Sequence, residues 1–326
     1  MYYLLAIAAG LLLAVQNPFN VNLGRKLRSP IQSAYLIYLI GIIEFALALI
    51  LCGQNPLVIL VDTSLIGAPW SIGGLLGLFY ILSIIVLFPM IGPIKAVTYP
   101  TLGQIVSGVF IDTVGSFSVE KSPLTGLRIV GIVLLFFAVF LSTKQAGRVP
   151  GGPFGKKRKA HSKTEPTPAS DLLLIWAFCA GVGSTLQGIF NGNLGGVLFC
   201  QSIPKTSFQA AIGATFFAFF SGFVTLSLLL VAMDQLSMKK TAMALQKPLS
   251  WLTATMGSAF VCAMTILNPI IGPGLTVSLS IIGLMAGTMF IEHKGLFKVK
   301  RSSLTQRKAL ALLLFIIGIL CVKVLG

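Results

Sequence analysis

Four carboxamides and one carboxylate stand inside stretches of this chain that are otherwise almost wholly apolar. Gln16 and Asn20 lie four positions apart, and so do Gln187 and Asn191. At that spacing two side chains share one face of a helix. A carboxamide donates and accepts hydrogen bonds without carrying charge, so these pairs suit recognition of a polar solute or bonding to a neighbouring helix. Glu44, in the run Gly41-Ile42-Ile43-Glu44-Phe45-Ala46, has no basic residue within a helical turn. A carboxylate in such a setting is a candidate for proton or cation coupling.

Both readings of the amides stay open. They line a central cavity and hold a solute, or they join helices, a contact worth roughly 0.6 to 2 kcal/mol. Pro18 falls between Gln16 and Asn20 and is expected to interrupt its helix, and Gly188 and Gly192 occupy the matching part of the later one. Broken or glycine-rich segments at corresponding places often mark a binding site in membranes. Glu44 has no acidic counterpart, since the matching region offers Thr215 or Thr225, and a neutral, hydrogen-bonded structural role is its alternative. Asp112 and Glu292 are duplicated acids just before Gly115 and Gly295 and read as helix-end caps of structural type.

Other chemistry lacks its residues. The two histidines, His161 and His293, and the five cysteines, Cys52, Cys179, Cys200, Cys262 and Cys321, show no zinc-ligand or redox spacing. There is no His-Glu-x-x-His and no Gly-x-x-x-x-Gly-Lys-Ser/Thr. The expectation is no metal, no cofactor and no enzyme, an intramembrane lipid-modifying enzyme being the weakest alternative because its acids, histidines or thiols would have to cluster at one depth.

The elements that carry these residues occur twice. Gly10, Gln16, Asn20, Asn22, Leu23 and Gly24 return 171 positions later as Gly181, Gln187, Asn191, Asn193, Leu194 and Gly195. Further on, Trp70 answers to Trp251, Pro89-Met90-Ile91-Gly92-Pro93 to Pro269-Ile270-Ile271-Gly272-Pro273, Gly103 to Gly283, and Asp112 with Gly115 to Glu292 with Gly295. A doubled unit is a recurring architecture in membranes.

With 56% hydrophobic and 10% charged residues and a mean hydropathy of +0.94, the chain belongs in a lipid bilayer. Crossing the hydrocarbon takes about 20 apolar residues of helix. Ten runs qualify, near 3–21, 31–52, 70–91, 94–113, 125–143, 172–193, 209–232, 250–269, 274–292 and 307–325, five per copy. An odd number makes the copies inverted with respect to each other. Lys and Arg in short loops favour the cytoplasm. Placing both termini outside leaves only Lys121, Arg128, Lys205 and Lys323 of the 24 basic residues on the outer side.

The expected organisation is a first repeat over 1–143, a basic, flexible cytoplasmic linker over 144–170 and a second repeat over 171–326. The net charge of +16, including Lys156-Lys157-Arg158-Lys159, is then explained by anionic headgroups, with no nucleic acid involved. Trp70 and Trp251 read as interfacial anchors, Lys95 as an orientation signal, and the small-residue pairs Gly73 and Gly77, Gly103 and Ser107, and Gly283 and Gly287 as packing faces.

Five helices per copy, Gln-x-x-x-Asn-x-Asn-Leu-Gly in the first, Pro-Trp followed by Gly73-Gly74-Leu75-Leu76-Gly77, and Gly103-Gln104 leading to Ile111-Asp112-x-x-Gly115 resemble the YdcZ-like group of the drug/metabolite transporter superfamily. The likeness covers nearly all of 1–143 and, more loosely, 172–326, as a fused pair of units that are mostly single. The second copy departs from it at Leu284 for Gln104, Thr288 for Gly108 and Glu292 for Asp112.

The resemblance implies an all-α, EamA-like bundle of two inverted five-helix repeats in a bacterial inner membrane. It also implies a secondary carrier, an exporter by analogy, that moves a small metabolite or drug-like solute by alternating access as a monomer or homodimer. A non-transporting membrane scaffold or sensor is the alternative.

Overall fold

In the computed structural model of the chain, residues 1–67, 70–117, 121, 123–143, 168–200, 206–303 and 305–323 are described. Residues 144–167, almost the whole of the expected linker, lie outside the described residues, as does Lys205. The described chain is all-α. Its twelve helices are α1 (Tyr2–Leu27), α2 (Pro30–Leu51), α3 (Pro56–Ile66), α4 (Ser71–Ile91), α5 (Pro93–Val114), α6 (Gly126–Thr143), α7 (Pro168–Cys200), α8 (Ser207–Ala232), α9 (Met238–Leu245), α10 (Pro248–Ile271), α11 (Pro273–Lys294) and α12 (Gln306–Lys323).

Seven of them, within α1, α2, α4, α7, α8, α10 and α11, are long and apolar enough to cross a membrane. Of the other helices that overlap expected spans, α5 carries Lys95, Thr98, Thr101 and Gln104, and α6 and α12 have 18 residues each.

Caps in the sequence set the boundaries. Ser29 accepts from the Gln32 N–H at the start of α2, Thr206 from the Gln209 N–H at the start of α8, and proline occupies the first turn of α2, α3, α5, α10 and α11. A single residue separates α4 from α5 and α10 from α11. It is Gly92 (φ 87°) in one place and Gly272 (φ 81°) in the other, a backbone conformation that a side chain would strain. Lys95 therefore sits in the first turn of α5 rather than in a turn between helices.

Two features differ from the sequence reading. The short helices α3 and α9 form where loops were expected, because Asn55 accepts from the Leu57 N–H and Ser237 from the Lys240 N–H. Pro18 does not interrupt its helix: α1 runs unbroken through it, and α7 continues past Gly188 and Gly192 to Cys200. A proline removes one backbone donor without ending the helix here, where α1 is packed against α10 and α11.

Packing follows the numbering offset of the repeat. α1 lies along α11 and α10 while α7 lies along α5 and α4; α2 pairs with α8, and α6 with α12. Gly10 faces the Ser280 carbonyl as Gly181 faces that of Pro100, and Gly283 meets the Ile7 carbonyl as Gly103 meets that of Phe178. The α2–α8 seam is aromatic, with ring centroids of Tyr35 and Phe223, and of Tyr38 and Phe219, 5.0 Å apart. On the α6–α12 seam Gly131 and Gly318 approach each other's carbonyls, with Ala138 and Ala311 fully buried.

Glu292, in the last turn of α11, is buried and paired at 2.8 Å with the buried Lys308 Nζ of α12. Lys308 also donates to Ser302 Oγ at 2.8 Å. Its partner is thus a neighbouring helix rather than a headgroup. Asp112 is likewise buried and has a partner.

Removing one member of a buried pair leaves the other charge uncompensated, at a cost of about 3–5 kcal/mol, whereas replacing both by apolar residues costs far less. Glu292→Leu is expected to lower the detergent melting temperature sharply and Glu292→Leu with Lys308→Leu to recover most of it. A double variant as unstable as the single would show that the pair is not what holds α11 to α12.

Candidate solute-binding cavity

The middle of α1 presents consecutive polar residues to the centre of the bundle. Gln16, Asn17 and Asn20 are each at most 2% exposed. With Gln187 and Ser184 of α7, Tyr38 of α2 and Tyr80 of α4 they line a cavity of about 50 Å³. Its remaining walls are apolar or aromatic, Phe219 and Phe260 among them, and among the described residues no Asp, Glu, Lys or Arg lines it.

Two glutamines enter it in the same way. Gln187 lies against Gly77 of α4, and Gln16 against Gly257 of α10, where its Nε2 also donates to the Thr253 carbonyl at 3.2 Å. A Cβ at either glycine would occupy the space of the glutamine head, so these glycines admit the amides to the centre.

The hydrogen-bond accounting is uneven. Neither Nδ2 nor Oδ1 of Asn17 has a partner, and Oδ1 of Asn20 has none, although all three atoms are buried. A buried polar group left unpaired costs about 1–3 kcal/mol, so native chains rarely keep one without a use. Three such atoms lie at the wall of one cavity, where a partner supplying both donors and acceptors would satisfy them. The volume suffices for a few waters, and lies well below the roughly 300 Å³ or more of drug-sized sites.

The structure thus gathers Gln16, Asn20 and Gln187 and leaves Asn191 beside the cavity. Asn191 is buried, its Oδ1 against Gly73 of α4 and its Nδ2 without a partner. Glu44 is also off the lining. Its Oε1 contacts the Thr255 hydroxyl of α10, and its Oε2 is buried without a partner. Aligning the caps Ser29 with Thr206 and the glutamines Gln32 with Gln209 puts Ser221, and not Thr215 or Thr225, opposite Glu44.

Asn17, Ser184, Tyr38 and Tyr80 were missed by the sequence reading. Asn17 corresponds to Gly188, so a search for duplicated polar positions passes over it, although it adjoins Gln16. Asn268, another unduplicated amide, sits across from Phe88 in the offset and donates to the Gly188 carbonyl at 2.8 Å. Among the described residues no group of histidines, thiols and carboxylates could hold a metal ion.

The comparisons with known proteins agree with this architecture. A family model described as "Putative inner membrane exporter, YdcZ" matches residues 1–141 and 172–321. A solved structure described only as "Crystal structure of protein" is similar with a TM-score of 0.55 at 15% identity, over 99% of this chain and 96% of that chain, which speaks for the fold alone. No curated protein matches the chain.

Proposed function

The chain belongs to the YdcZ family of membrane proteins in the drug/metabolite transporter superfamily, and on that premise we propose that it is a secondary carrier working by alternating access. The observation that carries the proposal is the set of unpartnered amide atoms of Asn17 and Asn20 at the wall of a small cavity between α1, α2, α4, α7, α8 and α10. With no charge in the lining and apolar walls, the fitting solute is a small, uncharged molecule with both donors and acceptors. Anything larger needs the cavity to expand.

In this reading ten helices cross an inner membrane as two inverted five-helix repeats, 1–143 and 171–326, with α3 and α9 at its surfaces. The exchanged contacts of Gly10 with Ser280 and Gly181 with Pro100 support it. Both termini lie outside, as the lysine and arginine distribution favours, and the direction is export. The drive is an ion gradient or the solute's own. Glu44 is the coupling candidate: the single Thr255 hydroxyl proton has two acceptors, the Trp251 carbonyl at 2.9 Å and Glu44, and a proton on Glu44 satisfies both contacts. The protein carries out no covalent chemistry.

The test needs no knowledge of the solute. In a variant lacking the five native cysteines, Ser184→Cys places a thiol on the cavity wall. An impermeant maleimide is expected to label it in sealed vesicles from either face, because a carrier opens the cavity to each side in turn. Labelling from one face only, or from neither while detergent-unfolded protein reacts fully, would leave a scaffold or sensor as the better description.

A further inference from the structure

A second, wider pocket lies away from the amide cavity. It is a pocket of about 370 Å³ between the end of α1, α9 and the start of α10. Lys26, Arg28, Lys240 and Lys247 surround it, Leu23, Leu27, Met243 and Leu249 form its apolar side, and among the described residues no carboxylate is in its wall. None of the four cations belongs to an ion pair among the described residues. Four like charges gathered without a counterion repel one another and are stabilised by an anion.

Two further features point into the same pocket. Ser250 is 1% exposed, lines it, and its Oγ has no hydrogen-bond partner. It lies in the first turn of α10, whose N-cap residue Lys247 offers no side-chain cap, so the positive end of that helix dipole opens onto the pocket. The lip of the pocket is amphipathic: α9 exposes Met238 and Met243 beside Lys240. Gln32 of α2 holds α9 in place, bonding Thr241 Oγ1 at 2.7 Å. The equivalent short helix α3 reads Pro-Leu-Val-Ile-Leu-Val-Asp-Thr-Ser-Leu-Ile, without a single basic residue, so the device belongs to one end of the molecule only.

We propose that this pocket binds a phosphate anion carried on an apolar tail, the headgroup of an anionic phospholipid, with Lys26, Arg28, Lys240, Lys247 and the Ser250 hydroxyl around the phosphate and the leucines and methionine against the first carbons of the tail. The proposal does not depend on what the amide cavity carries. In the orientation given above, the site faces the cytoplasmic leaflet, where a basic pocket at helix ends meets anionic lipid.

The experiment uses the full chain in phosphatidylcholine nanodiscs, with thermal stability followed as dioctanoyl phosphatidylglycerol, dioctanoyl phosphatidylcholine or inorganic phosphate is added. A ligand of the native state raises the melting temperature by mass action. The expected result is a saturable rise with phosphatidylglycerol alone. The half-saturating concentration should increase by about tenfold or more in K26Q/K240Q/K247Q, as losing several near-surface cations implies, and stay unchanged in K239Q, whose lysine is outside the pocket. The three lysines are exposed, so the triple variant should fold, and its unliganded melting temperature checks this. An equal response in the triple variant, or equal responses to both lipids, would overturn the site. An inorganic phosphate response as large as that of the lipid would overturn the headgroup assignment in favour of a free anion.

Discussion

Asn17→Leu is expected to yield a protein that melts at a higher temperature than the native chain and binds the proposed solute more weakly. Both polar atoms of the Asn17 amide are buried without partners, so the folded, empty state carries their desolvation cost, about 1–3 kcal/mol for a group of this kind. Leucine removes that cost, and its extra volume can enter the adjoining cavity. Solute binding loses a donor and an acceptor together, which should weaken it about tenfold to a hundredfold.

Gln16→Leu makes the contrast, because it deletes the bond to the Thr253 carbonyl and should lower stability. Melting curves of the three proteins, alone and against a metabolite panel, decide the matter. A fall in melting temperature for the empty Asn17→Leu protein would mean that Asn17 serves the packing of the bundle, and the polar wall would lose its claim to be a binding surface. A site that holds stability in reserve for its ligand is a common trade between function and folding.

The second large effect is expected at the helix crossings. A side-chain carbon at Gly10 would overlap the Ser280 carbonyl, a backbone atom with no rotamer to move out of the way. Overpacking of this sort costs about 1–3 kcal/mol even where side chains can give, so Gly10→Leu should eliminate the monodisperse folded peak in detergent and Gly10→Ala should diminish it. Gly181→Leu, against Pro100, should behave alike. Gly196→Ala is the control. Its added carbon would meet nothing within 4 Å, and alanine favours helix over glycine by about 1 kcal/mol, so that variant should be at least as stable as the parent. If Gly10→Ala folds as well as Gly196→Ala, the α1–α11 crossing is looser than its geometry indicates.

Much of this was legible in the chain. The repeated landmarks included the glycines of the helix crossings, since Gly10 and Gly181, or Gly103 and Gly283, do equivalent work at equivalent crossings. Three of the four chosen amides do reach one cavity. What escaped has identifiable causes. Asn17 is polar in only one copy, and periodicity within a repeat cannot reveal a residue the repeat does not share. Asn191 has the same spacing as Asn20 but is turned against Gly73, a difference decided by the partner helix and not by its own sequence. The helices α3 and α9 were overlooked because hydropathy detects long spans, whereas Asn55-Pro56 and Ser237 announce short ones through capping. Pro18 was read as a break because proline rules describe an isolated helix, and α1 is enclosed on several sides.

The exchanged crossings also bear on energetics. If the two halves swap their contacts when a carrier passes from one open form to the other, every duplicated interaction is present in both forms and cancels from their difference in free energy. Only the unduplicated residues remain to tilt the balance, among them Asn17 against Gly188, Asn268 against Phe88, Gln104 against Leu284, Glu44 against Ser221, and basic α9 against apolar α3. In such a nearly degenerate pair a bias of about 1.4 kcal/mol already changes the populations tenfold, so the resting conformation of this protein hangs on the few places where its symmetry fails.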